Sequence, residues 1–333
     1  MASSATPVRF GIVGLGMGAG RAKTVPNTPG AELVAVCSLV EEQARAVAKE
    51  LGCEWTLNYD DLLARDDIDA IGVFTPSGWH CDFAIRALKA GKHAFTTKPM
   101  DVRVAKCDAA IKAAAEAGKV LAVDFDSRYT PSNHQIRQAV QQGAFGRLFQ
   151  IDLRMKWLRG QDYYDGGSPP GWRSRKETEG GSMANQGVHY VDLVQWFGGP
   201  VRSVTGRINT FGHKIETEDL SNSLWTFESG AWASVVTTTC NTPGQGTVIE
   251  VSGDQGTLIW RNNKIELWET TTGAKLEDFS APPDLPAGII ADMVSAITKG
   301  TKPAVDGQEG RKSVALLDAT YRSAAEGREV AVQ

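Results

Sequence analysis

The chain has 333 residues, of which 42% are hydrophobic and 22% charged, and a formal net charge of −4. This is ordinary globular composition, with length enough for two domains and their cores, and the mild acidity offers no basic surface for nucleic acid. No apolar stretch is long enough to cross a bilayer, so no membrane partner is expected, and Met1-Ala2-Ser3-Ser4-Ala5-Thr6-Pro7 lacks the basic and apolar regions of a secretory leader.

From residue 8 to 126 short apolar runs alternate with helical segments. Residues 8–13 form an apolar run ending in glycines, residues 32–37 read as a second strand and 41–51 as a helix. Strands follow at 70–74 and 93–96 with helical 81–90 between them. Alanine-rich 104–117 reads as a helix stopped by Gly118, and 120–125 as another strand. Alternation of this kind predicts a parallel sheet wrapped by helices on both faces. After residue 126 the rhythm changes. Pro131 opens a helix running to 142. Strand-like stretches then fall at 148–157, 201–211, 220–227, 231–238, 247–251, 257–260 and 264–268, several joined by glycine-containing turns such as Glu228-Ser229-Gly230. Helical segments at 288–299 and 310–325 close the chain. The expected fold class is therefore α/β plus α+β: an N-terminal doubly wound parallel sheet of Rossmann type, then an open, mostly antiparallel sheet with helices on one face. We expect a dinucleotide-binding domain over residues 1–126 and a substrate-binding and oligomerisation domain over 127–333, its C-terminal helix able to return to the first. An uncovered sheet face predicts a homodimer or homotetramer.

The five cysteines (Cys37, Cys53, Cys81, Cys107, Cys240) are scattered, odd in number and without a C-x-x-C pair. That argues against a zinc knuckle or a disulfide framework, so no metal is expected, and inert thiols in a reducing cytoplasm are.

The opening turn carries the first chemistry. Gly14-x-Gly16-x-x-Ala19, with Met17 and Gly18 between, follows the first strand and opens toward a helix. The first two glycines permit a tight turn and close approach of backbone N–H groups to a pyrophosphate; the last small residue permits close helix–strand packing. The βαβ context is what makes such a turn a dinucleotide site. The second strand should end in an acid if the adenosine 2′-hydroxyl is free, yet position 38 is Ser. Ser38 does not repel a 2′-phosphate, with Arg45 or Arg21 as candidate cations, so NADP is preferred to NAD; the same serine also suits a helix N-cap.

Three ordered motifs carry a family resemblance. Thr75-Pro76-Ser77-Gly78-Trp79-His80, Ala90-Gly91-Lys92-His93 and Thr96-Thr97-Lys98-Pro99 resemble the T-P-N-x-x-H, A-G-K-H-V and E-K-P pattern of the glucose–fructose oxidoreductase/inositol dehydrogenase (Gfo/Idh/MocA) family. Residues 180–192, Gly-Gly-Ser-Met-Ala-Asn-Gln-Gly-Val-His-Tyr-Val-Asp, are similar to its G-G-G-x-x-x-[D/N]-x-G-x-H-x-x-D. Tyr163-Tyr164, Trp172-Arg173 and residues 215–219 fall in matching order, so the resemblance covers nearly the whole chain. Two positions depart from it. Thr97 stands where the family usually has Glu, which removes a carboxylate near the expected nicotinamide ribose, and Asn185 stands where inositol dehydrogenases carry Asp.

The resemblance and the residues together assign candidate roles. Lys98, extended before Pro99 at a strand end, would stabilise the negative charge developing on a substrate oxygen. His189 would take the hydroxyl proton as hydride leaves the same carbon. Asn185 cannot accept a proton, but can bind a hydroxyl or orient His189. If 185–197 is one helix, Asn185, His189, Asp192 and Trp196 share a face; Asp192 then either binds substrate or forms a salt bridge within its domain. By resemblance, Thr75-Pro76 turns over the adenosine side, His80 lies beside the cofactor crevice with Thr97, and Arg128 reaches toward the nicotinamide. Tyr163, Trp172 and Arg173, in a Gly/Pro-rich loop, suit a polyhydroxylated ring or alternatively a packing role. His93, His134 and His213 receive no functional role. The expected activity is NAD(P)-dependent hydride transfer to or from a secondary alcohol of a sugar, sugar derivative or cyclitol. Redox-neutral sugar chemistry on a tightly bound nicotinamide and a non-catalytic dinucleotide-binding regulator are the alternatives.

Overall fold

Val8-Arg9-Phe10-Gly11-Ile12-Val13 is apolar at nearly every position, as a strand covered on both faces must be, and Phe10 and Ile12 are fully buried. In the computed structural model, which describes residues 6–333, this run is β1 (Val8–Val13) at the centre of a six-stranded parallel sheet. The expectation about a secretory leader falls mostly on residues 1–5, which lie outside the described residues. The remaining elements of the sheet follow in order: α1 (Gly18–Ala22), β2 (Ala31–Cys37), α2 (Glu41–Leu51), β3 (Glu54–Thr56), α3 (Tyr59–Leu63), β4 (Ala70–Val73), α4 (His80–Lys89), β5 (His93–Thr97), α5 (Val104–Ala117) and β6 (Leu121–Asp124). Spatial order is β3-β2-β1-β4-β5-β6, the doubly wound arrangement whose strand order reverses between β1 and β4. The short edge strand β3 escapes the sequence pattern because Glu54 and Trp55 are exposed and leave no apolar run. Helix α5 ends where expected: Gly118 takes the left-handed conformation, φ 61°, and its N–H bonds back to the last turn.

The chain divides into two compact units. The first comprises Met1–Asp126, Gly167–Trp172 and Pro286–Arg311; the second comprises Ser127–Gly166, Arg173–Leu285 and Lys312–Gln333. Within the first unit the returning segment carries a further helix (Ile289–Lys299) against β1, β2 and β6, and Val123 N donates to Val305 O at 2.9 Å.

The second unit opens with α6 (Pro131–Gln141), followed by β7 (Leu148–Lys156), α7 (Gln161–Asp165) and α8 (Val188–Gly198). Strands β8 (Val201–Asn209), β9 (Leu220–Phe227), β10 (Trp232–Thr238), β11 (Gly246–Gly253), β12 (Gly256–Arg261), β13 (Lys264–Thr270) and β14 (Val330–Ala331) complete it. They form an eight-stranded sheet in the order β13-β12-β11-β7-β10-β9-β8-β14, antiparallel except for the parallel pair β7–β10. Ile151, Leu153, Met155, Trp225, Phe227, Val235, Ile249 and Trp260 are buried on one face, where α8 packs against β7 and α6 against α8. On the opposite face Leu224 is 46% exposed, and Trp232, one strand away on the same side, is 57% exposed. The mostly antiparallel, one-face-covered sheet of the sequence reading is thus the observed one.

Candidate active site

The reversal point between β1 and β4 places two turns side by side at the carboxyl ends of those strands. Gly14 has φ +85°, and its N–H is held by Cys37 O at 2.9 Å. A Cβ built there would lie 2.4 Å from Phe74 O, so both conformation and space demand glycine. Gly16 differs: a Cβ there meets nothing within 4 Å, and the residue is exposed, as is Met17 at 70%. The surface above Gly16 is therefore open for an incoming group. Gly18 makes a close helix–strand contact: its added Cβ would sit 2.9 Å from Phe74 Cβ. Thr75, after Phe74, has a buried Oγ1 with no hydrogen-bond partner. An open glycine and an orphaned hydroxyl at one strand junction fit a dinucleotide's pyrophosphate and ribose.

At the end of β2, Ser38 Oγ donates to Gln43 Oε1 at 2.9 Å and accepts from Val40 N at 3.2 Å, while Gln43 Nε2 donates to Leu15 O at 2.8 Å. Gln43, which the sequence reading passed over, thereby ties the serine to the glycine turn. Ser38 is not the cap of α2, whose N-cap is Val40. The two cations considered for a 2′-phosphate are both committed. Arg21 Nη2 bridges Asp124 and Asp126 at 2.7 Å each, and Arg45 Nη2 pairs with Glu41 at 2.7 Å. The expected preference for NADP loses its charged support.

His80 begins α4 and is fully buried. Its Nδ1 lies 2.7 Å from Pro99 O and its Nε2 2.7 Å from Thr75 O, so one ring joins the Thr75-Pro76 turn to the segment after Lys98. Burial pushes its pKa down to about 4, outweighing the two carbonyl contacts. The Lys98–Pro99 bond is cis, and Thr97 is the last residue of β5. Lys98, Thr97 and His80 thus stand together at the carboxyl end of the parallel sheet.

In the second unit the second glycine motif forms a wide helical turn. Met183–Gly187 is a π-helical segment running into α8, not the first turn of a uniform helix. Such a turn rotates the residues before it relative to those after it, and the expected single polar face divides in two. Asn185 faces a polar network. Its Nδ2 donates to buried Glu179, and its Oδ1 accepts from Tyr163 Oη at 3.1 Å, which in turn accepts from Gln186 Nε2 at 2.8 Å. Glu179 therefore fixes the amide, leaving Oδ1 as the acceptor. Sequence reasoning missed Glu179; its only signal was an acid directly before Gly180-Gly181. Burial raises the Tyr163 pKa, and the guanidiniums of Arg173 and Arg159 lie 4.6 and 5.4 Å from its ring centroid. Trp172, by contrast, belongs to the first unit.

The other part of the face is structural. Asp192 is 0% and Arg128 2% exposed; Arg128 Nε and Nη2 grip the carboxylate at 2.6 and 2.8 Å. The Arg128 guanidinium also covers Trp196, 4.3 Å from its centroid, with Arg137 at 4.8 Å. For Asp192 the salt-bridge alternative is the observed one, and Arg128, expected toward the nicotinamide, holds that carboxylate within its own unit. His189 is part-exposed on α8 beside Tyr190, whose ring packs against Trp157 and Trp260. Glu218, buried beneath Gly181, accepts from Ser182 N and Met183 N, which anchors the start of the wide turn. His93 accepts from Val120 N, His134 bonds Arg128 O and His213 bonds Asp219, all within their own units. Among the described residues no group of three or more His, Cys, Asp or Glu is placed to hold a metal.

A dinucleotide-type glycine turn in the first unit and, in the second, a Gly-Gly-to-His-x-x-Asp helical segment packed on a mixed sheet are the marks of a two-unit oxidoreductase. Residues 8–125 match the oxidoreductase family with an NAD-binding Rossmann fold, and residues 133–259 match the GFO/IDH/MocA C-terminal domain. The chain belongs to the Gfo/Idh/MocA family. It is 29% identical to the inositol 2-dehydrogenase of Rhizobium meliloti strain 1021, over 98% of this chain and 99% of that one. Among solved structures it is similar to the WlbA dehydrogenase from Bordetella pertussis in complex with NADH and UDP-GlcNAcA, with TM-score 0.90, 30% identity and coverage of 98% and 99%. It is also similar to an aldose-aldose oxidoreductase from Caulobacter crescentus complexed with glycerol, with TM-score 0.80, 26% identity and coverage of 98% and 99%.

Proposed function

We propose that the protein reversibly oxidises a secondary alcohol of a sugar, sugar derivative or cyclitol, with the first unit holding the nicotinamide dinucleotide and the second the substrate. The observation that carries this reading is the Tyr163–Asn185–Glu179 network, whose Asn185 lies four residues before His189 in the chain. A hydroxyl acceptor of fixed orientation, an aromatic ring and a titratable imidazole are what a polyhydroxylated ring requires. The bound nicotinamide supplies the hydride acceptor. His189 takes the hydroxyl proton, Lys98 stabilises the oxygen as charge develops on it, and Asn185 positions the sugar through Oδ1. Arg159 and Arg173 around Tyr163 favour a substrate with an anionic substituent, in keeping with the nucleotide-sugar acid bound in the WlbA structure.

At the adenosine end, uncharged Ser38 admits a 2′-phosphate while the paired Arg21 and Arg45 do not reward it. We read this end as using NAD and NADP with kcat/KM values within about tenfold of each other, a difference of about 1.4 kcal/mol at most. Self-association through the open sheet face, and residence in the reducing cytoplasm, where the five free thiols stay reduced, complete the reading.

Lys98→Met and His189→Asn are each expected to lower kcat at least about a hundredfold, with thermal unfolding unchanged. Turnover by both variants within a few-fold of the parent would remove the proposed chemistry.

A further inference from the structure

We infer that Asp124 contacts the cofactor, its Oδ1 accepting a hydrogen bond from a hydroxyl of the nicotinamide ribose. The inference rests on the dinucleotide reading above. Asp124 is the last residue of β6, and its register partner on β5 is Thr97, the residue before Lys98. Side chains of register partners on neighbouring strands leave the sheet on the same side, so the carboxylate stands beside position 97, where the family pattern would put an acid and this chain has none. One oxygen, Oδ2, is held by Arg21 at 2.7 Å. The other, Oδ1, is buried and has no hydrogen-bond partner, although the residue is only 4% exposed. A buried carboxylate oxygen without a donor marks a place that a ligand donor completes.

The donor's chemistry follows from the charges around it. Asp126 shares Arg21 with Asp124, so one guanidinium serves two carboxylates. A phosphate would add a third negative charge, whereas a hydroxyl donates a hydrogen and adds none. Burial lifts the Asp124 pKa to about 7, against the pull of Arg21 and, more weakly, Lys98 toward the ionised carboxylate. Strand order places the donor. A dinucleotide crossing the reversal between β1 and β4 lays its adenosine half over β2 and its nicotinamide half over β4, β5 and β6. Asp124 is on the nicotinamide side, and a ribose hydroxyl is the donor a cofactor brings there. A substrate hydroxyl offers the same chemistry, and binding of cofactor in the absence of sugar separates the two.

The test measures the dissociation constants of NADH and of its analogues deoxygenated at the 2′ or 3′ position of the nicotinamide ribose, by fluorescence without substrate. The wild-type protein is expected to bind one of the two analogues at least about tenfold more weakly than NADH, a site built around a hydroxyl being intolerant of its loss. Asp124→Ala is expected to bind NADH about tenfold more weakly and to distinguish it from neither analogue. The wild-type comparison needs no variant and so survives a failure of Asp124→Ala to fold. Equal binding of all three cofactors by the wild type, or discrimination by Asp124→Ala matching the wild type, overturns the inference. So does an effect of Asp124→Ala confined to the sugar KM. Failure of the wild type to bind NADH at all would instead bring down the dinucleotide reading itself.

Discussion

Two glycines of the opening turn answer to different physics. Gly18 is small because Phe74 leaves no room for a Cβ, the nearest atom being 2.9 Å away, whereas nothing within 4 Å would meet a Cβ on Gly16. Gly18→Ala is therefore expected to destabilise the protein by about 1–3 kcal/mol through overpacking. Gly16→Ala is expected to leave stability within about 0.5 kcal/mol and to weaken NADH binding at least about tenfold. Denaturant unfolding and a binding titration on the two variants check this; loss of stability without loss of binding at Gly16 would contradict the assignment. The glycine pattern was legible in the sequence because it is local. The tight packing of Gly18 was not, because the constraint comes from Phe74, distant in the chain. The same holds for Glu179 and Asp124, whose meaning lies in partners supplied by other elements. Lys98 and His189 stand out in the sequence through motif order, whereas Arg128 as the partner of Asp192 does not follow from helical spacing, because it comes from another element.

At the scale of elements, the parallel sheet was readable because each of its long strands is a compact apolar run and each helix returns at regular distance. The wide turn at Met183–Gly187 was not, because a π-helical step leaves no signature in apolar periodicity. It moves Asn185 away from the face of Asp192 and Trp196 and gives it to the Tyr163 network. Helix α4 has its own device in His80, which joins two strand-end segments through Thr75 O and Pro99 O. Burial lowers its folded pKa to about 4 from 6.5. The folded state thus binds fewer protons than the unfolded state between those values, and the stability this contributes is full above the unfolded pKa and lost as pH falls toward the folded one. Between pH 7 and pH 5 the loss from His80 is about 2 kcal/mol. Denaturant titrations at the two pH values should show it, and His80→Gln should remove that part of the slope. An unchanged slope in His80→Gln would assign the acid sensitivity elsewhere.

For the whole molecule, the eight-stranded sheet has one face packed under α6 and α8 and another on which Leu224 and Trp232 are exposed, diagonal to each other across β9 and β10. Large apolar side chains exposed on an uncovered sheet face offer a surface that a second copy can cover with two-fold symmetry. Light scattering at micromolar concentration is expected to give a dimer or tetramer, and Leu224→Glu with Trp232→Glu to shift it toward monomer; a monomeric parent protein would refute this.

The central claim, hydride transfer from a ring alcohol, is tested most directly by following the absorbance of reduced nicotinamide. Purified protein would be mixed with NAD or NADP and a panel of cyclitols, neutral sugars and anionic sugar derivatives. Net reduction of the cofactor is expected with at least one class of ring alcohol, with the two cofactors within about tenfold in kcat/KM, and its loss in His189→Asn. Protein that binds NADH yet reduces neither cofactor with any member of the panel would contradict it.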